Sequence, residues 1–340
     1  MRKLLNILYV TTPDAYLSKD GLNVVVSVNK EELFRIPVMN IEGIVTFGYM
    51  GASPGLMRLC ADNGVSLSFL SPSGHFVGRL QGPVRGNVLL RKTQYQISED
   101  DESSMHYSRL FIAGKIQNYR TILQRHIRDN GDDGELDAVV KMLESSKRVA
   151  MHTEDSSQLI GVEGDAANSY FGVFHRMILH QQDDFAFHGR NRHPPKDKVN
   201  ALLSFVYTLL ANETASALET VGLDPYVGFL HKLRPGRTSL ALDLMEEMRA
   251  YLGDRLVLSL INRKQLTATD FVESGEGMVL LTEGGRKTVL SAWQKRKSET
   301  IIHPFLEEKI QIGLLPYVQA LLLSRAIRGD IDDYPVFIIH

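Results

Sequence analysis

The sequence predicts an α+β protein, with a β-rich amino-terminal domain over residues 1–85, a linker over 86–104 and a larger helical domain over 105–340. Short apolar or β-branched runs, separated by Gly, Asp, Asn and Pro, fill the first eighty or so residues. From about Met105 the apolar positions recur at helical spacing instead. A chain of 340 residues also favours about two domains over one.

The strand candidates are LLNILYVTT, GLNVVVSVN, ELFRIPV, IEGIVTF and VSLSFLS. One helix interrupts them, in ASPGLMRLCADNGV: Ser53 suits the N-cap, Pro54 the first helical position and Gly64 the exit. SPSGHF reads as a hairpin turn. The helical half opens with SRLFIAGKIQNYRTILQRHI, in which Lys115, Arg120 and Arg125 lie between apolar positions. DGELDAVVKMLESSKRVA and GDAANSYFGVFHRMIL follow as amphipathic helices. DKVNALLSFVYTLLANETASALETVG is mostly apolar and ends at Gly222, the pattern of a central buried helix. FHGRNRHPPKDK is a basic, proline-marked loop, and LLPYVQALLLSRAI a late helix. There is no internal repeat.

Composition narrows the class. Hydrophobic content of 44% and charged content of 23% are those of an ordinary globular protein. A single cysteine, Cys60, cannot form an internal disulfide and fits a reducing, cytoplasmic setting. The amino-terminal MRKLLNILYVTTPDAYLS lacks a small-residue cleavage pattern and reads as a strand, and no run approaches the ~18 apolar residues of a membrane span. The net charge of −2 argues against a uniformly basic coat but permits a local basic face. Two clusters offer one: Arg79, Arg85, Arg91 and Lys92, and Arg286, Lys287, Lys295, Arg296 and Lys297. Solvated faces are the plain alternative for both.

The stretch GFLHKLRPGRTSLALDLMEE raises the functional question. If Ser239 onward is helical, Asp243, Glu246 and Glu247 share one face among leucines and methionines. Carboxylates in such surroundings need a compensating cation, either a metal ion or an arginine such as Arg234, Arg237 or Arg249. His231 precedes a Pro-Gly turn that folds it back over this helix. Glu163, between Val162 and Gly164, stands just before a predicted helix, where a dipole or capping role competes with a ligand role. Glu163, His231 and Glu246 together offer two carboxylates and one imidazole, a set that suits Mg²⁺ or Mn²⁺ better than zinc. A packed structural histidine is the alternative for His231. GEGMVLLTEGGRK shows no strand–loop–helix of the nucleotide-binding kind, and no G-x-S-x-G occurs.

Four segments carry a resemblance: LYVTTPDAYLS…GIVTFGYMGASPGLM, LIGVEGDAANSYF, NRHPPKDKVNALLSFVYTLLANE and GLDPYVGFLHKLRPGRTSLALDLMEEMR. They closely resemble the CRISPR-associated spacer integrase, the universal adaptation nuclease family, nearest to its type I-C branch. The resemblance covers essentially the whole chain. It implies a β-domain that forms homodimers, a helical catalytic domain, and an assembly with a small second adaptation protein. The implied substrate is double-stranded DNA, as spacer precursor and as repeat array. Residue by residue, the family's metal ligands fall on Glu163, His231 and Glu246. Its further acidic residue falls on Asp243, assisting those ligands, and Glu247 has no counterpart. The implied reaction is attack by a 3′-hydroxyl on a phosphodiester, assisted by Mg²⁺ or Mn²⁺, in a prokaryotic cytoplasm. Arg79, Arg85, Lys115, Arg237 and Arg286 are the candidate contacts to the DNA backbone. Two other readings stay open: a metal-dependent phosphoesterase acting on nucleotides or RNA, and a non-catalytic DNA-binding scaffold.

Overall fold

The structure is a computed structural model that describes residues 7–12, 14–71, 76–80, 88–131, 134–191, 194–231, 233–275 and 277–339. The chain divides into two compact units.

The first unit comprises Met1–Arg85, Leu281–Thr300 and Gln311–Leu314. Its larger sheet contains β1 (Ile7–Val10), β5 (Gly43–Phe47), β6 (Ser66–Leu70) and β7 (Phe76–Leu80), in the order β1-β5-β6-β7. The first two pairings are parallel and the last antiparallel. A separate antiparallel meander holds β2 (Tyr16–Asp20), β3 (Asn23–Val28) and β4 (Glu31–Pro37). Asn29 and Lys30 both adopt positive φ, the backbone a tight two-residue β3–β4 turn requires. Helix α1 (Pro54–Asn63) links the parallel strands β5 and β6, and it starts and stops where the sequence predicts. Ser53 accepts a hydrogen bond from the Leu56 amide, Pro54 opens the helix, and Gly64 leaves it at φ 69°. Leu17, Val24, Ile44, Leu56, Cys60 and Leu67 meet in the core between sheets and helix. Residues 72–75, the predicted hairpin turn, lie outside the described set, but the strands flanking them pair antiparallel.

The second unit comprises Gly86–Leu280, Ile301–Ile310 and Leu315–His340 and is mainly helical. It holds α2 (Val88–Glu99), α3 (Asp101–Asn130), α4 (Glu135–His152), α5 (Ser156–Val173), α6 (Lys198–Val221), α7 (Ser239–Met248) and α8 (Arg255–Asn262). A π-helical segment, Arg249–Asp254, joins α7 to α8. The first unit contributes α9 (Glu283–Ser298), and the second ends with α10 (Leu315–Arg328). Asp197 caps α6, and Gly222 ends it at φ 89°, as the sequence predicts. By length and composition α6 could cross a membrane, yet it is largely buried inside the protein, as a core helix is.

Three expectations need correction. Residues 86–104 are not simply a linker: from Val88 on they supply α2 and the start of α3, within the helical unit. Glu163 does not precede a helix, because α5 begins at Ser156 behind the Asp155 cap and Glu163 lies two turns inside it. GEGMVLLTEGGRK does contain a strand, Val279–Leu281, running straight into α9. Only Thr282 separates the two, as N-cap, so there is still no glycine loop to cradle a phosphate.

After α10 the chain crosses α3. A Cβ on Gly114 would lie 2.2 Å from Val336 Cγ1, so the tail passes there only because residue 114 lacks a side chain. Asn118 secures the crossing, donating to the Phe337 carbonyl at 2.8 Å and accepting from the Ile339 amide at 2.9 Å.

Candidate active site

The site is assembled inside the second unit from α3, α5, α7 and the loop that precedes α7. That loop is fixed at both ends. Gln94 of α2, fully buried, donates to the carbonyls of Asp224 and Val227 at 2.8 Å and accepts from the Asp224 amide at 2.9 Å. The Pro225 carbonyl accepts from the Leu240 amide at 2.9 Å, satisfying an otherwise unpaired amide in the first turn of α7. Phe229 packs on Tyr107 with ring centroids 5.0 Å apart, and its carbonyl accepts from Ser104 at 2.9 Å.

Asp243 explains why this loop carries a carboxylate beneath it. Fully buried, it accepts from the amides of Phe229 at 2.7 Å, Leu230 at 3.0 Å and His231 at 3.1 Å, and its Oδ1 also binds His231 Nδ1. Its role is therefore orientation: it commits one ring nitrogen of His231 and leaves Nε2 as the nitrogen available to another partner. Gly228 permits the close approach, since a Cβ there would stand 2.6 Å from Asp243 Oδ2 and 2.8 Å from the Ser239 carbonyl carbon.

Glu246, one turn further along α7, forms the floor. Its Oε1 lies 3.0 Å from Arg249 Nη2, and the Arg249 guanidinium stacks over Tyr207 at 5.1 Å. Its Oε2 lies 2.8 Å from Lys115 Nζ, and a carboxylate oxygen with one such partner keeps a second lone pair as acceptor capacity. Burial pushes the Glu246 carboxyl up, but Arg249, Lys115 and His231 outweigh it and hold the group at about 2. Lys115 Nζ also contacts Glu163 Oε1. The Lys115 side chain is almost fully buried, whereas those of Glu163 and His231 keep 25% and 22% of their surface exposed. Glu163 and His231 are thus the solvent-facing members of the site and Glu246 its interior.

The structure brings Glu163 and Glu246 together on one ammonium, and joins His231 to Asp243. Among the described residues, no three acidic, histidine or cysteine side chains already form a metal cage. The donor chemistry nevertheless fits a hard divalent cation: two carboxylates already share a cation, one buried oxygen has acceptor capacity, and an imidazole is fixed by its other nitrogen. Glu247 points away from this set. It accepts from Tyr334, from Gln319 at 2.8 Å and from the Phe337 amide at 2.9 Å, which ties α7 to the carboxy-terminal tail. Arg249 is the arginine that pairs, and it pairs with Glu246.

Two of the five expected DNA contacts are buried in this structure. Lys115 is committed to the carboxylates, and Arg286 is buried within the first unit, donating to the Leu281 carbonyl at 2.9 Å. Arg79 and Arg237 are partly exposed, and Arg85 lies outside the described residues. The sequence carried one overlooked signal: Lys115 sits four residues from Phe111 and from Tyr119, on the apolar stripe of α3. A lysine in that stripe requires a buried partner.

A family model described as CRISPR associated protein Cas1 matches residues 8–295. The chain belongs to the Cas1 family. Among its relatives is the protein named CRISPR-associated endonuclease Cas1 2 from Rhodospirillum rubrum, 51% identical over 98% of each chain. Among solved structures, a casposase bound to its integration product aligns at a TM-score of 0.84 with 21% identity, covering 98% of this chain and 94% of the other. A Cas6-RT-Cas1–Cas2 complex aligns at 0.82 with 20% identity, over all of this chain and 36% of the other. At these identities the solved structures speak for the fold, which is that of Cas1 proteins.

Proposed function

We propose that this protein is a divalent-metal-dependent DNA endonuclease and integrase of CRISPR adaptation, inserting short DNA into a repeat array. The observation that carries this is the Asp243-held His231 beside a Glu246 that stays ionised in the interior, next to the half-exposed Glu163. Glu163, His231 and Glu246 would hold Mg²⁺ or Mn²⁺, and Asp243 would orient the imidazole. Such an ion, when bound, supplies charge stabilisation at the phosphoryl oxygens. In the transesterification a 3′-hydroxyl oxygen bonds to phosphorus as the existing 3′-oxygen–phosphorus bond breaks. One phosphodiester replaces another and the hydroxyl proton ends on the departing oxygen. Glu246 holds negative charge without solvent screening, Arg249 and Lys115 balance it, and Glu163 and His231 face the entering strand.

The proposed partners are duplex DNA, a second copy of this chain, and a Cas2 protein, the last supported by the neighbour whose assembly contains one. A prokaryotic cytoplasm and the type I-C branch belong to the same proposal. Glu163→Ala and His231→Ala should each abolish metal-dependent cleavage and integration while circular dichroism shows a folded protein. Integration at the wild-type rate by either variant refutes the assignment. One observation favours a second reading, a DNA-binding scaffold: Glu246 already has two cationic partners. Calorimetric titration with Mn²⁺ separates the two, because a scaffold shows no binding that Glu246→Ala removes.

A further inference from the structure

We infer that Lys115 is a built-in competitor of the divalent cation: its ammonium holds the Glu163–Glu246 pair in the cation-free protein and is displaced when a metal ion takes that pair. The inference rests on the metal reading above. Lys115 Nζ touches both carboxylates, one from α5 and one from α7, whereas Arg249 touches Glu246 alone and is held over Tyr207. The two cations and two carboxylates balance, so the set is neutral without a metal. Removing Lys115 alone would leave like charges facing each other in a buried site. A divalent ion entering beside an unmoved ammonium would instead give the site a net positive charge. Displacing Lys115 relieves that repulsion, and the freed ammonium on its flexible stem then lies where an incoming phosphodiester supplies negative charge. Metal and DNA should therefore bind cooperatively, each reducing the repulsion the other meets.

This assigns to Lys115 the opposite sign from a merely structural lysine. If Lys115 only shaped the pocket, removing it would loosen the ligands and weaken metal binding. As a competitor, its removal strengthens metal binding while weakening the cation-free fold. The test is calorimetric titration of Mn²⁺ into wild type, Lys115→Met and Lys115→Arg, with and without a short DNA duplex, beside thermal unfolding in EDTA and in Mn²⁺. Lys115→Met should bind Mn²⁺ about tenfold tighter without DNA, and Mn²⁺ should raise its melting temperature by more than that of wild type. Its metal affinity should respond less to DNA. Lys115→Arg, whose planar fork grips both carboxylates, should bind Mn²⁺ more weakly than wild type, and it tests the inference alone should the methionine variant not fold. Unchanged or weaker Mn²⁺ binding by Lys115→Met, or unchanged or tighter binding by Lys115→Arg, overturns the inference. The metal reading then stands if wild-type binding is still lost in Glu246→Gln. No Mn²⁺ binding by wild type at all removes both.

Discussion

Replacing Gly228 with alanine would place one methyl group 2.6 Å from Asp243 Oδ2, 2.8 Å from the Ser239 carbonyl carbon and 2.9 Å from the Leu240 amide nitrogen. Two of these three atoms are backbone in the first turn of α7, and the third belongs to a carboxylate fixed by three amides, so none yields by a simple side-chain rotation. The loop or the helix must move, and either movement stretches the three amide hydrogen bonds that Asp243 receives. Overpacking of this kind costs about 1–3 kcal/mol. For a unit of this size that lowers the melting temperature by roughly 2–4 °C per kcal/mol. Because His231 is part of the displaced loop, Mn²⁺ affinity and integration should fall together with stability. Gly164→Ala provides the contrast: residue 164 is inside α5, and an added methyl would meet no atom within 4 Å, so alanine should stabilise by roughly 0.5–1 kcal/mol. Urea unfolding monitored by far-ultraviolet circular dichroism measures both. A Gly228→Ala protein as stable as wild type, with unchanged Mn²⁺ binding, would refute the view that this close approach sets the position of His231.

Two further outcomes follow from buried groups around the site. Burial pushes the Asp254 carboxyl up to about 6, against hydrogen bonds from Tyr207 and Tyr170 and the charges of Arg249 and Arg190. The native state therefore holds this proton more tightly than the unfolded chain, so stability is lost as pH rises from about 4 to 6, by on the order of 2–3 kcal/mol. Asp254→Asn should flatten that part of the profile, and parallel profiles for the two proteins in urea unfolding at pH 4.5 and 7 would contradict it. Removing residues 331–340 strips Tyr334 and Phe337 from Glu247 and the tail from Asn118. At about 1–3 kcal/mol for each buried group left unpaired, the loss should be roughly 2–6 kcal/mol, and a change below about 1 kcal/mol would show that the tail does not brace α7.

How far the sequence discloses this arrangement depends on whether the informative contacts are local. Helix α1 is legible because Ser53, Pro54 and Gly64 act within a few residues of one another, and α6 because its apolar run ends at Gly222. The carboxylates of α7 stand out because their spacing and apolar neighbours lie within one short run. Glu163 is misplaced relative to its helix because Gly161 and Gly164 resemble punctuation, although the helix runs through both. Residues 86–104 look like a linker because polar residues fill most of α2 after Leu90. Its purpose is Gln94, whose partners lie some 130 residues away.

Lys115 is the most instructive failure. Its place on the apolar stripe of α3 shows that it needs a partner but not which one, because Glu163 and Glu246 come from two other helices. Only packing α3 against α5 and α7 turns a surface-like residue into the charge that makes a buried Glu246 tolerable. The acidic pair and its internal cation are therefore one electrostatic unit, and under the inference above a divalent ion entering the site exchanges with that lysine. The described residues accordingly show paired charges and no ready-made metal cage. Under the proposed exchange, the set of Lys115, Arg249, Glu163 and Glu246 begins neutral and becomes positive on taking a divalent ion, which matches it to a phosphodiester.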